Sequence, residues 1–423
     1  MSPADRGTRH PLLLLCHRIP YPPDKGDKIR SYHLLEYLRR HYDVYLGAFV
    51  DDPDDWRHRD ALEGLCREAM LLPLAPLRAK LGSLAGLVRN EPLTLGYYRD
   101  RRLSRWVQSV VEREGIRRVV VFSSSMGQFT PRAGGVEATT VVDFVDVDSA
   151  KWTQYAKRKS WPLSWLYRRE GRSLARYEKR LSHETDASVF VSAEEAALYR
   201  RRNPDIAERV TYYRNGVDTE YFDPGQRGES PYPDGTLPLV FTGAMDYWPN
   251  VDAVAWFSRE VLPLVRRHRP DAVLYIVGSR PAREVRALAR EAEVVVTGRV
   301  DDMRPWLGHA RVSVAPVRVA QGIQNKVLEA MAMARPLVVT SRALEGIPAS
   351  DAEHVLLADD AQAMATRILA LLDGQYPALG GAARRLVRDS FSWEASLPVL
   401  GQLLEGESQA TGYRQLDAGA AHG

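Results

Sequence analysis

The stretch Gln321 to Pro336, QGIQNKVLEAMAMARP, holds residues whose types and spacing suit the handling of an anionic substrate. Gly322 lies in a loop after the apolar run VSVAP. The helix expected to follow, Gln324 to Met333, offers unpaired backbone N–H groups and a positive dipole end to an anion. Lys326 falls in the first turn, where an ammonium can meet a phosphate. Glu329 follows three residues later on the same face, and a carboxylate there can accept both hydrogen bonds from the vicinal hydroxyls of a ribose. Loop, Lys and Glu together describe a nucleoside diphosphate held along a helix start. The same pattern also fits a surface ion pair over a core of Val327, Leu328 and Met331.

Three further groups attract attention. The loop from Pro22 to Lys28 surrounds Gly26 with Lys25, Asp27 and Lys28, and Arg30 follows on the next helix, a set suited to an acceptor or a donor phosphate. Asp146-Val147-Asp148 places two carboxylates at a strand end, a spacing that can share a divalent ion. Residues 151–180 hold ten Lys/Arg against two Glu, interleaved with Trp152, Trp161, Trp165, Tyr155, Tyr167 and Tyr177. Such a mixture suits an anionic membrane surface, and equally an amphipathic helix with its aromatics in the core. No recognition module for nucleic acid accompanies it. GxSxG, HExxH, paired CxxC and Walker patterns do not occur.

These residues must be positioned by alternating strands and helices. Leu12–Cys16, Val44–Val50 and Val119–Phe122 read as strands, with helices over 29–40 and 103–114 between them, and Ser192 reads as a helix cap. The order then restarts after Asn215-Gly216 with LVFTG, AVLYIVG, VVVTG, VSVAP and PLVVT, separated by helices over 251–268, 281–291 and 324–333. The pattern predicts an α/β chain of two doubly wound, parallel, Rossmann-like domains facing a cleft, with ligands at the carboxyl ends of strands. The boundaries expected are 1–208 for an acceptor-side domain, 209–404 for a nucleotide-sugar domain whose last helix packs back on the first, and a flexible tail from 405.

Composition narrows the function classes. The chain has 423 residues, 45% hydrophobic and 26% charged, enough for two or three domains. No window approaches the ~18–20 apolar residues of a membrane-spanning helix, and the N-terminus lacks the form of a secretory signal, so a cytoplasmic location is expected. Two cysteines build neither a disulfide framework nor a zinc cluster. A net charge of +4 is too weak to argue for nucleic acid. Of the 58 basic residues 50 are Arg and 8 are Lys, which makes each Lys conspicuous.

The motif GxxxxKxLEAMAxxxP with the upstream VSVAPV resembles the donor-site signature of retaining GT-B glycosyltransferases of family four. NGVD with YFDP, VFTGAMDYWPN, LYIVG and VTGRVDDMRPWL follow in that family's order. The wording of PYPPDKGDKIRSYHLLEYL, DFVDVDSAKW and GIQNKVLEAMAM is similar to the sugar transferases associated with PEP-CTERM/exosortase A systems.

The resemblance implies sugar transfer from a nucleotide-diphosphate sugar to a saccharide acceptor, and the subgroup a role in bacterial exopolysaccharide assembly; membrane contact through 151–180 would suit an acceptor carried on a lipid. It implies no metal and no cofactor, catalysis by Lys326 and Glu329, and donor contacts from Gly243, Arg299, Gln321, Gly322 and Asn325. Gln321 stands where the wider family has a first glutamate, and the loop AMDYWPN lacks the family's Arg and Lys. The family's histidine near the donor sugar has no counterpart between His58 and His183, so Asp146, Asp148 or Lys151 is expected in its place. A sugar-nucleotide epimerase and a non-catalytic assembly scaffold are the alternatives on the same fold.

Overall fold

The computed structural model describes residues 9–23, 26–74, 83, 85–88, 91–131, 138–157, 160–291, 293–319 and 323–406. Lys25, Gln321, Gly322 and all but the first two residues of the expected tail lie outside them. The chain forms two compact units, Met1–Asn215 with Ser396–Gly423, and Gly216–Ala395.

The first unit is built on a parallel sheet of seven strands: β1 Pro11–Cys16, β2 Asp43–Val50, β3 Glu68–Pro73, β4 Arg118–Phe122, β5 Thr139–Val145, β6 Ala187–Phe190 and β7 Val210–Tyr212. Their order is β3-β2-β1-β4-β5-β6-β7. Leu12 to Leu15 are fully buried, as a strand covered on both faces requires. The helices used below are α1 Gly26–His41, α2 Arg101–Glu114, α3 Asp148–Lys157, α4 Leu163–His183 and α5 Ala193–Arg202. Helix α1 buries Leu34, Leu35 and Leu38. Ser192 caps α5 by accepting from the Glu195 N–H.

The second unit carries six parallel strands: β8 Leu237–Thr242, β9 Ala272–Val277, β10 Val294–Gly298, β11 Val312–Ala315, β12 Leu337–Val339 and β13 Leu356–Leu357. The order is β10-β9-β8-β11-β12-β13. Helix α6, Trp248–Trp256, follows β8, and helix α7, Asn325–Ala332, follows β11. Each sheet therefore reverses its winding once, between β1 and β4 and between β8 and β11. At such a switch point the loops leave to opposite sides and open a crevice. In the second unit the opening is visible in the ladder: β8 pairs with β9 over six residues, but with β11 only at Leu239 and Val240.

Three expectations need correction. The division falls between Asn215 and Gly216 rather than after 208, because β7 extends the first sheet and Tyr213 and Asn215 are tied to Arg30. Three residues are too few for a strand to be read from sequence beside a Pro/Gly-rich loop. The helix expected over 251–268 starts at Trp248 and is interrupted by a π-turn over Phe257–Val261, immediately before Pro263, which has no N–H to continue the ladder. The helix expected over 281–291 is confined to Arg283–Leu288. The last helix, α8 Pro398–Leu404, belongs to the first unit. There Gly401 lies so close to the Tyr37 hydroxyl that a Cβ would stand 2.4 Å from it, and Glu405 accepts from Tyr42 at 2.6 Å.

Candidate functional site

In the second unit, Lys326 and Glu329 do occupy one helix, α7, at the switch point. The helix is capped by no side chain; the Val327 N–H turns back to the Gln324 carbonyl at 3.0 Å, which leaves the N–H groups of Asn325 and Lys326 at the open helix start. Lys326 Nζ donates to Asn250 Oδ1 at 2.9 Å and to Gln324 Oε1 at 3.4 Å, and it lies over the Phe241 ring at 5.3 Å. Its partners are neutral amides and a π-face rather than a carboxylate. Burial lowers its pKa to about 8, against a smaller opposing pull from Glu329. Burial likewise raises Glu329 to about 6, with Lys326 pulling down. An ammonium held beside neutral groups keeps its charge available to an arriving anion.

Gly243, directly after β8, is the wall of this pocket. Its φ is +151°, and a Cβ there would stand 2.8 Å from Asn250 Nδ2 and 3.4 Å from Lys326 Cε. Gly278, at the end of β9, lies against Gly243 so closely that a Cβ would be 1.7 Å from the Gly243 carbonyl. Asn250, on α6, holds the loop by donating from Nδ2 to the Ala244 carbonyl at 2.9 Å. Sequence reasoning missed Asn250. Its signal was a polar residue in the otherwise apolar helix start YWPNVDAVAW, where burial demands a partner. Asn325 is exposed at the first position of α7, and Arg299 is exposed beyond the edge strand β10, separated from β8 by β9. Arg318, in the loop after β11, is engaged by Asp252 at 2.6 Å.

In the first unit the mixed-charge loop is rearranged. Gly26, Asp27 and Lys28 form the first turn of α1, and Lys28 is buried on Asp55 at 2.6 Å. Arg30 is also buried. It meets Asp143 at 2.9 Å, donates to the Tyr213 carbonyl and Asn215 Oδ1, and lies 3.7 Å over the Tyr213 ring. The Tyr213 hydroxyl donates to the same Asp143. The expectation that Lys28 and Arg30 present cations to an acceptor or phosphate is therefore corrected: both hold the fold together, because a buried cation needs a paired anion.

What faces the end of β1 is a different set. Asp27 is met by Arg18 at 2.7 Å and His17 at 3.4 Å, and Arg18 reaches Asp51 at 2.8 Å. Although burial pushes the Asp27 carboxyl up, His17 and Arg18 hold it well below the ordinary range. His17 stacks on Phe122, and among the described residues its buried Nδ1 has no hydrogen-bond partner. Sequence reasoning passed over His17 and Arg18, although they directly follow the strand LLLLC, where ligands are met.

Asp146 and Asp148 stand at the end of β5 with Lys151 Nζ at 2.6 and 3.5 Å respectively. Burial raises the Asp148 pKa, with Asp146 adding to the rise and Lys151 and, less strongly, His17 opposing it. A histidine thus neighbours this carboxylate after all, from β1 rather than from the segment after β5. Among the described residues no three metal-ligating side chains are grouped. The backbone is strained here: Ser123 after β4 has φ +79° and Val145 ending β5 has φ +67°, the latter a costly conformation for a β-branched residue. Strain of about 1–3 kcal/mol per residue concentrates at functional sites. Glu195 and Glu178 hold the turn by accepting from the N–H groups of Val147 and Ser149. Burial pushes Glu178 up to about 8.

Residues 237–374, which include Gly243, Asn250, Gly278, Lys326 and Glu329, match the family model described as glycosyl transferases group 1. No curated protein matches the chain. Among solved structures, HepE of Anabaena, crystallised with UDP, is similar at a TM-score of 0.60 and 14% identity over 94% of this chain and 100% of that one. Sucrose-phosphate synthase of Thermosynechococcus elongatus gives 0.60 and 19% over 97% and 100%. WaaG, a glycosyltransferase involved in lipopolysaccharide biosynthesis, gives 0.56 and 15% over 93% and 100%. The fold is GT-B, and the match to the glycosyl transferases group 1 model lies within its second unit.

Proposed function

We propose that the protein is a glycosyltransferase moving a hexosyl group from a nucleoside-diphosphate sugar to a saccharide acceptor. The observation that carries this reading is Lys326: a partly buried ammonium held by amides rather than by a carboxylate, in the first turn of a helix at the switch point, against a glycine wall at Gly243. The arrangement suits a diphosphate, and Glu329, one turn on, suits the ribose hydroxyls. HepE, similar in fold, has been crystallised with UDP and with UDP-glucose, so a uridine diphosphate sugar is the first donor to try.

The finer reading adds retention of anomeric configuration, independence of metal, a lipid-linked acceptor, and a role in bacterial exopolysaccharide assembly at the inner face of the cytoplasmic membrane. In a retaining transfer the acceptor oxygen forms its bond to the anomeric carbon on the face from which the diphosphate leaves. The departing phosphate oxygen takes the acceptor proton as the old glycosidic bond breaks. Lys326 and the helix N–H groups supply preorganised donors for the charge that develops on that oxygen. In the first unit, His17, Asp146 and Asp148 are the candidate acceptor contacts.

Lys326→Ala is expected to lower kcat/KM by about 10²–10³, the usual cost of removing one preorganised donor. The measurement is transfer of labelled sugar from a panel of donors, with product anomers assigned by NMR. Turnover within a few-fold of wild type would remove Lys326 from the chemistry.

A further inference from the structure

The reading above leaves unexplained a patch on the first unit. The aromatic residues of 151–180 are divided by the fold. Trp152 packs edge-on against Tyr167 at 5.0 Å, and Tyr177 is buried. Trp161 is 81% exposed, Trp165 52%, Tyr155 50% and Leu163 47%. Single exposed apolar residues are ordinary, but two tryptophans and a leucine within five residues at one helix start are not.

The charge of α4 is divided in the same way. Its inner face buries Leu174, Tyr177 and Leu181, and Gly171 fits against α3, where a Cβ would stand 2.8 Å from Thr153 Oγ1. Its two acids, Glu170 and Glu178, also point inward and are buried. Arg168, Arg172, Arg176 and Arg180 are exposed, four residues apart. From Trp161 to Arg176 the outer face therefore carries arginines with no exposed carboxylate, continuing from the aromatic end, and Arg180 at its far end pairs with Glu184 at 3.8 Å. Among the described residues no helix is long and apolar enough to cross a bilayer.

We propose that this outer face of α4 lies on an anionic lipid bilayer, Trp161, Leu163 and Trp165 entering the headgroup layer and the arginine row resting on lipid phosphates. Indole rings are at ease at that depth, and clustered Arg are drawn to negatively charged surfaces. The aromatic end favours a bilayer over nucleic acid or an acidic protein, which would reward the charge but not exposed tryptophans spread along a helix start. The inference deepens the proposal of a lipid-linked acceptor and rests on it only for its purpose, since vesicle binding requires neither donor nor acceptor.

The test is co-sedimentation of the full chain with phosphatidylglycerol-rich vesicles and with pure phosphatidylcholine vesicles. Binding is expected to the first alone, and to weaken as salt is added. The double variant W161S/W165S, and separately R172Q/R176Q, should each weaken it at least about tenfold, with unchanged melting temperatures because all four side chains are exposed. Equal binding to both vesicle types, no binding to either, or variants that bind like wild type would overturn the proposal. So would a self-associated wild type that W161S/W165S turns monomeric without lipid while vesicles capture neither. Transfer lost on a water-soluble acceptor with vesicle binding intact would count against the transferase reading alone.

Discussion

Lys326 and Glu329 are expensive residues to bury, and the expense shows what they await. One is held short of its ordinary basicity and the other short of its ordinary acidity, at about 8 and about 6. Between those values Lys326 is protonated and Glu329 ionised, the pair of states that a diphosphate and a ribose diol each need. Affinity for UDP is therefore expected to be greatest in that window. It should fall below about 6, where the Glu329 carboxyl gains a proton and loses acceptor capacity, and fall above about 8, where Lys326 loses its charge. A bound phosphate stabilises the ammonium, so binding near the upper edge should take up protons. Calorimetry in buffers of different ionisation enthalpy measures both effects. An affinity that stays flat from well below about 6 to well above about 8 would detach the pair from the donor.

At the scale of elements, two contacts decide whether the sites exist. The first is the approach of β8 and β9 at Gly243 and Gly278. Both have φ near +150°, a region that L side chains rarely adopt. Gly278→Ala must displace the Gly243 backbone, and is expected to destabilise the second unit by about 3–5 kcal/mol, read as a loss of melting temperature. The second is the buried Arg30, which ties α1, β5 and the end of β7 through Asp143, Tyr213 and Asn215. Asp143→Ala leaves a buried guanidinium uncompensated, at a cost of about 3–5 kcal/mol, whereas the double replacement Arg30→Met with Asp143→Leu should recover most of it. Urea denaturation of the two variants and wild type closes the comparison. Equal losses in both variants would mean that Arg30 contributes through packing and not through its charge.

At the scale of the molecule, the two units have separate cores and separate sheets. A donor held by α7 and the loop after β8 stabilises the second unit and has no reason to stabilise the first. UDP at about 100 times its Kd is expected to add about 2.7 kcal/mol to the unfolding of the second unit. Scanning calorimetry should show one transition moving while the other stays. A rise of both by the same amount would mean that the units unfold together.

The sequence by itself determined the alternation of strands and helices, because buried parallel strands must read as unbroken apolar runs such as LLLLC and AVLYIV. It also determined that Lys326 and Glu329 share one helix face, because three residues is nearly one turn. It did not determine the partners of the charged residues. Lys28 reads as a loop cation and Arg30 as a helix cation reaching the same region, yet Asp55 and Asp143 draw them inward from 27 and 113 residues away. His17, Asn250 and Gly278 become meaningful only when the sheet sets β1 and β5 on either side of β4 and when β8 meets β9. Local periodicity fixes which face a side chain occupies. Only the tertiary structure decides what stands opposite, since burial makes an unpaired charge costly and the compensating charge can come from anywhere in the chain.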